Sequence, residues 1–305
     1  MSRSRPRRRP RGLLTGLVAL AVGALLLWHG LLPDVAGAAS MLETFLPWVG
    51  VALVALGVAA LVRFSLFAGL AVAAAMAVWW AAFGVALLPS MSAGSPRFTV
   101  VSENVQAQNA EAADIARSLA ARSPDVIALQ ELDATNLHAV EGVLDAPYPH
   151  RYVIGTVGLW SRYPLTDGAK LDLGLGWNRA ISVEVDTPGA STRIYVVHLA
   201  SVRPLEYAAR DRMLGELTQA VAADHSERLL VVGDFNTAST DRAIAPLQKE
   251  LTEASNSTVG LGFTWPASFP VARLDHAFVR GLTTVGSSVL DDNGSDHRGI
   301  EIGLR

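Results

Sequence analysis

Two kinds of hydrophobic pattern follow one another along this chain. The first part holds three long apolar runs, Leu13–Leu32, Phe45–Val62 and Leu66–Leu88, none containing Asp, Glu, Lys or Arg. Each is near or above the length that crosses about 30 Å of hydrocarbon as a helix, so the pattern predicts three transmembrane helices. A soluble bundle would have shorter helices with a polar face. From residue 97 onward the runs shorten to strand length, and each delivers a polar group at its end. Val100–Asn104 ends in Asn104, Val126–Glu131 in Gln130 and Glu131, and Ile194–His198 in His198. Leu229–Asn236 breaks at Gly233 and delivers Asp234 and Asn236, Leu274–Val279 carries Asp275 and His276, and Ser295, Asp296 and His297 precede a last strand, Gly299–Leu304. Helices are predicted over Ala110–Arg122, Leu205–Asp224 and Arg242–Leu251, and strands with hairpins over Tyr152–Val185. Pattern alone implies an α/β or α+β domain with many strands.

Charge orients the apolar part. Residues 1–12 hold six arginines and no acid, and Arg63 sits in the turn between the second and third runs. The stretch between the first two runs has Asp34 and Glu43 and no base. Basic segments stay in the cytoplasm, which makes the N-terminus cytoplasmic and places everything after Leu88 on the extracytoplasmic side of the cell membrane. The rival reading, a signal peptide cleaved near Ala36-Gly37-Ala38, leaves the later domain on that same side. Trp28, His29, Trp79 and Trp80 are read as interface anchors and packing rather than a cofactor pocket. The expected organisation is a basic tail over 1–12, spans over 13–32, 45–62 and 66–88, a small polar linker over 89–96, and one domain over 97–305.

That domain has no cysteine, which removes thiol nucleophiles, disulfides and zinc-thiolate sites. It carries 18 basic against 26 acidic residues, about eight units negative. Proteins that grip nucleic-acid backbones show the opposite balance or a dense basic stripe, so nucleic acid is a disfavoured partner. Asp234 and Asn236, a carboxylate and a carboxamide two residues apart, are suited to hold a water beside a phosphate. Hard oxygen donors without cysteine suit Mg²⁺ or Mn²⁺. His276 alternates to the opposite strand face from Asp275 and reads as structural. Arg162, Arg179 and Arg203 read as solvated surface more readily than as phosphate contacts.

In this order, the polar strand ends resemble the endonuclease/exonuclease/phosphatase superfamily, the DNase I-like metal-dependent phosphoesterases. GLWSRYPL at 158–165 resembles a segment of the same superfamily. The likeness covers about residues 97–305. It implies a four-layer sandwich of two mixed β-sheets flanked by helices, here preceded by the three transmembrane helices. It also implies that Glu131 is the principal ligand of Mg²⁺ or Mn²⁺, with Asn104 and Asp296 near the metal or its waters. Asp234 and Asn236 match the pair that aligns the attacking water, Asp275 matches the carboxylate that orients His297, and His297 and His198 flank the scissile phosphate. The His198 segment, VVHLAS, resembles the phosphatase, sphingomyelinase and DNase I branch. Arg298 stands one residue before the place where many relatives have a proline.

The implied function is a membrane-anchored phosphoesterase acting on a phosphorylated lipid-linked or small-molecule substrate of the envelope. An extracytoplasmic nuclease and a sphingomyelinase-like phosphodiesterase are the alternatives. The architecture also looks like that of actinobacterial membrane proteins found with glycopeptide resistance, and two lysines against 23 arginines suit a high-GC genome.

Overall fold

The computed structural model describes residues 12–88, 94–201, 207–254 and 260–305, so the arginine tail, most of the linker and Arg203 lie outside the described residues. The described chain divides into two compact units, one of apolar helices and one of sheets.

In the helical unit, α1 (Leu13–Trp28), α3 (Val49–Val62) and α4 (Leu66–Phe83) pack through small residues. Thr15, Gly16, Ala19 and Gly23 form the buried stripe of α1, and Ala68, Ala71, Val72 and Ala75 that of α4. Such stripes let helix backbones approach closely where no water drives association. Arg63 donates to Thr15 Oγ1 at 2.9 Å, so the α3–α4 turn lies beside the start of α1. Two helical stretches, Leu13–Leu31 and Leu66–Leu87, are long and apolar enough to cross a membrane. The expected third span over 45–62 is corrected. Pro47 lacks an N–H and opens a 3-10 turn at Leu46–Trp48, leaving an α-helix of 14 residues. That helix is about 21 Å long, short of the hydrocarbon core. It reaches spanning length only together with α2 (Ala38–Thr44), from which it is bent by 55°. Helix α2 instead belongs, with all of Asp34–Thr44, to the sheet unit.

The sheet unit contains β1 (Phe98–Asn104), α5 (Ala112–Ala121), β2 (Val126–Gln130), α6 (Leu137–Leu144), β3 (His150–Ile154), β4 (Val157–Ser161), β5 (Leu165–Lys170) and β6 (Ala180–Val185). There follow β7 (Thr192–His198), α7 (Tyr207–Ala223), β8 (Leu229–Asp234), α8 (Ala245–Glu250), β9 (Thr252–Glu253), β10 (Asp275–Arg280), β11 (Thr284–Val289) and β12 (Ile300–Leu304). Two six-stranded sheets form, in the orders β11-β12-β1-β2-β4-β3 and β5-β6-β7-β8-β10-β9. Each is mixed, with one parallel pair near its middle: β1 with β2, pairing Asn104 with Gln130, and β7 with β8, pairing His198 with Asp234.

Strand alternation assigns every residue of these pairs to a face. Val100, Val126, Ala128, Ile194, Val196, Leu230, Val232, Ala277 and Ile302 fill the core between the sheets. Val101, Ile127 and Leu129 pack outward against α5 and α6, and Tyr195, Val197, Leu229 and Val231 against α7 and α8. Helices on both outer faces complete the four layers. Gly233 is needed where β8 leaves this core: its φ is 144°, and a Cβ there would lie 2.0 Å from the Val197 carbonyl oxygen.

Candidate active site

The alternation that builds the inter-sheet core also sets its chemical end. Counting by twos along the inward face leads from Val100 to Asn104 on β1, from Ile194 to His198 on β7, from Leu230 to Asp234 on β8, and back from Ala277 to Asp275 on β10. All four side chains are almost fully buried. The Ser295–His297 loop is pinned beside them by Ser295 Oγ, which donates to the Asn104 carbonyl at 2.6 Å and accepts from the His297 N–H at 3.2 Å.

Glu131 and Asn236 reach the same place by another route. Plain alternation would send Glu131 to the outer face after Gln130, but its φ is 59°, a left-handed conformation unusual for a residue with a side chain. That turn brings its carboxylate to Asn104 Nδ2 at 3.0 Å and to the Ala107 N–H at 2.7 Å. Asn236, with φ 47°, does not continue β8 as an extended residue either. The chain turns, its amide N–H donates to Asp234 Oδ1 at 2.8 Å, and its side-chain Nδ2 donates to Asp234 Oδ2 at 3.1 Å and to the Leu199 carbonyl at 3.0 Å. Asn104 Nδ2 gives the Asp234 carboxylate a further donor at 3.1 Å. Asn104 therefore orients Glu131 and Asp234 with its nitrogen, while its oxygen takes the Gln106 N–H at 2.9 Å.

The two histidines are in opposite states. His297 Nδ1 meets Asp275 Oδ2 at 2.9 Å, and its Nε2 lies 3.8 Å from Asp234 Oδ2. Burial alone would lower this imidazole, but Asp275 and Asp234 outweigh it and push it up to about 10. His198 is held well below the ordinary histidine value by burial first, then by Arg179 and His297. Its Nε2 lies 3.5 Å from Glu131 and 3.6 Å from Asp234. Burial, opposed by His297 and aided by Asp275, raises the Asp234 carboxyl to about 7. Paired titratable groups pushed apart in this way are a signature of acid–base sites.

Arg179, read from the sequence as surface more readily than as a phosphate contact, enters the site. Its Nε donates to the His198 carbonyl at 2.9 Å, one terminal nitrogen donates to the Leu199 carbonyl at 3.2 Å and meets His198 Nε2, and Trp177 stacks on its guanidinium at 4.9 Å. Thr264 also escaped notice. Its Oγ1 accepts from the N–H groups of Leu274 and Asp275 and fixes the start of β10. Neither residue stands at the end of an apolar run, the one pattern that marked the others. Arg162 stays outside, over the Tyr148 ring.

His276 faces away from the site, as alternation requires. Its ring nitrogens meet Glu253 Oε1 and the Thr237 carbonyl, each at 2.8 Å, and both partners accept. Burial would raise the Glu253 carboxyl, but His276, Arg273 and Ser239 hold it down at about 2. A carboxyl depressed from 4.5 stabilises the fold fully above about pH 4.5 and loses that contribution as pH falls toward 2, on the order of 3 kcal/mol. Glu253→Gln is expected to lower the melting temperature at pH 7, with the deficit against wild type shrinking between pH 4.5 and 2.5. A deficit that stays constant over this range would remove Glu253 as a titrating stabiliser.

Two groupings are suited to a cation. Asp234, Asp275 and His297 offer ligand atoms within 4.8 Å of one another. There the imidazolium already supplies the positive charge. Glu131 and Asp296 are oxygen donors, half-buried, and close enough that Glu131 adds to the burial that raises Asp296 while His297 opposes it. Mutual repulsion between hard carboxylates is what a bound Mg²⁺ relieves, so these residues fit such an ion.

The Endonuclease/Exonuclease/phosphatase family profile matches residues 104–297. No curated protein sequence matches. Among solved structures, a mutant beta toxin from Staphylococcus aureus with bound magnesium ions is similar at 16% identity and a TM-score of 0.56, over 68% of this chain and 99% of that one. The mannosyl-6-phosphatase of Bacteroides thetaiotaomicron is similar at 17% identity and 0.57, over 68% and 99%. TDP2 of D. rerio, complexed with a single-strand DNA product, is similar at 19% identity and 0.59, over 68% and 98%.

Proposed function

The chain belongs to the endonuclease/exonuclease/phosphatase family, and from that premise we propose that it is a membrane-anchored, metal-dependent phosphoesterase. On this reading it hydrolyses a phosphate ester or pyrophosphate of an envelope or lipid-linked substrate on the extracytoplasmic side, with a role in glycopeptide resistance. The observation that carries it is the convergence of Glu131, His198, Asp234, Asn236, Asp275, Asp296 and His297 around the Asn104 end of β1, with one imidazole cationic and the other neutral.

Glu131 and Asp296, with Asn104 orienting the glutamate, would hold a divalent cation, which would supply charge to polarise a phosphoryl oxygen. Asp234, raised to about 7 and aimed by Asn104 and Asn236, takes a proton from the attacking water. His297, kept cationic by the Asp275 carboxylate at Nδ1, delivers the proton on its Nε2 to the leaving oxygen as the phosphorus–oxygen bond breaks. His198 is neutral with Nε2 turned to Arg179, which leaves the donor role to His297. Arg179, clamped by two carbonyls, presents its cation to the phosphate.

The substrate class is supported by the apolar helices and by the acidic balance of the domain. Sidedness is supported by the charge pattern, with six arginines in residues 1–12 and Arg63 after the second apolar run, and no base between the first two runs. Purified full-length protein with Mg²⁺ is expected to cleave isoprenyl pyrophosphates or sugar phosphates in preference to DNA, and intact cells to hydrolyse added sugar phosphate as fast as lysates do. Preference for DNA would make it a nuclease, and activity that emerges only on lysis would reverse the sidedness.

A further inference from the structure

Residues Asp34–Thr44 join two apolar helices, a task that needs only a short polar loop. They carry instead a carboxylate, Glu43, that is 0% exposed. Burying a carboxylate is unfavourable unless it is paired and hydrogen-bonded. Glu43 is both: its oxygens accept from the Arg242 N–H at 2.9 Å, from Nε at 2.9 Å and from a terminal nitrogen at 2.6 Å, and its own carbonyl accepts from Thr240 Oγ1 at 2.7 Å. Asp34 organises the segment, taking the Ala39 N–H at 3.0 Å and the Ser40 hydroxyl at 2.9 Å.

Ser40 in turn accepts from Arg210, also 0% exposed, at 2.9 Å. The other donors of Arg210 go to Asp211 at 2.7 Å, Asp241 Oδ2 at 2.8 Å and Thr237 Oγ1 at 3.1 Å. All three nitrogens of this guanidinium are thus committed: Nε to Asp211, one terminal nitrogen to both Asp241 and Thr237, and the other to Ser40. Thr237 follows Asn236 directly, and its hydroxyl donates to the Phe235 carbonyl at 2.7 Å. Ser40, Arg210 and Thr237 therefore form a continuous buried chain from the segment to the turn that holds Asp234 and Asn236, and Glu43 grips the same loop at Thr240 and Arg242.

We propose that Asp34–Thr44 is a strap that positions the catalytic loop: through Ser40–Arg210 and Glu43–Arg242 it holds residues 237–242, and with them Asp234 and Asn236, in hydrolysing geometry. Glu43 and Arg210 are positioning residues, since neither touches the reacting groups. The strap rests on the hydrolytic reading above and extends it, because it makes the connection between two apolar helices part of the site's scaffold.

The test uses the full-length protein, bis(p-nitrophenyl) phosphate with Mg²⁺, and hydrogen exchange of the 235–242 amides. Glu43→Ala is expected to lower kcat about tenfold or more with KM within about twofold, because a shift of the catalytic loop costs turnover rather than ester binding. Glu43→Gln, which keeps an acceptor for the Arg242 N–H, should retain most of kcat. Exchange should rise at 235–242 in Glu43→Ala while β1, β2 and β7 stay protected. A folded Glu43→Ala with kcat within twofold of wild type would overturn the strap, and so would loss of protection spread evenly over the domain. Wild-type protein inert toward every phosphoester would remove the hydrolytic reading alone. The exchange arm would still decide the strap, which falls if 235–242 stays as protected as before.

Discussion

His297→Ala is expected to lower kcat on any hydrolysed phosphoester by about a hundredfold or more, the scale of a lost positioned proton donor. Asp275→Asn should cost a similar factor, because the 2.9 Å contact to His297 Nδ1 both fixes the ring and holds its proton. Removing that carboxylate lets burial act on the imidazole with less opposition, so its value should fall from about 10 and the alkaline limb of the pH–rate profile should move to lower pH. Residues that act as a unit lose activity together, so the double variant should be little worse than His297→Ala. Kinetics of the two single variants and the double decide the point. Fully multiplicative losses would mean that Asp275 and His297 work independently and that the pairing seen in the structure is not used in turnover.

Glu131→Gln is the second large expected effect. The substitution keeps the size of the side chain and an acceptor for the Ala107 N–H, but removes the charge that a divalent cation needs. Chelator should abolish hydrolysis by the wild type and Mg²⁺ or Mn²⁺ should restore it. In Glu131→Gln the metal concentration for half-maximal activity should rise about tenfold to a hundredfold, with the melting temperature at zero metal little changed. Full activity of Glu131→Gln in chelator would take this glutamate out of the metal site.

Much of this site can be read in the sequence because each residue ends an apolar run, and a buried strand leaves its terminal inward residue at the edge of the core. Asn104, His198, Asp234 and Asp275 obey that logic, and His276 obeys it in the negative. Glu131 and Asn236 follow another route. They stand at strand ends, yet each enters the site by a left-handed backbone turn that alternation does not contain. Arg179 and Thr264 act through contacts with residues far along the chain, which no local pattern carries. The apolar runs were legible as helices, but the middle one was misread as a full span. A window of hydrophobicity does not register that Pro47 delays the helix start, or that Asp34–Thr44 fold with another unit. Glu43 looked like an ordinary loop acid, since a buried ion pair with Arg242 requires both partners to be seen at once.

The strict alternation along β8 bears on how such a protein can diverge. Deleting a single residue among Leu229–Val232 would put Phe235 where Asp234 stands and turn the carboxylate toward the hydrophobic layer under α7, as would any odd change of length within the strand before Gly233. The central strands are thus closed to insertion and deletion, whereas the segments connecting them carry no such parity. Descendants of this chain should therefore differ in length between strands and almost never within them, acquiring new substrates by remodelling the rim while the count of residues beneath it stays frozen.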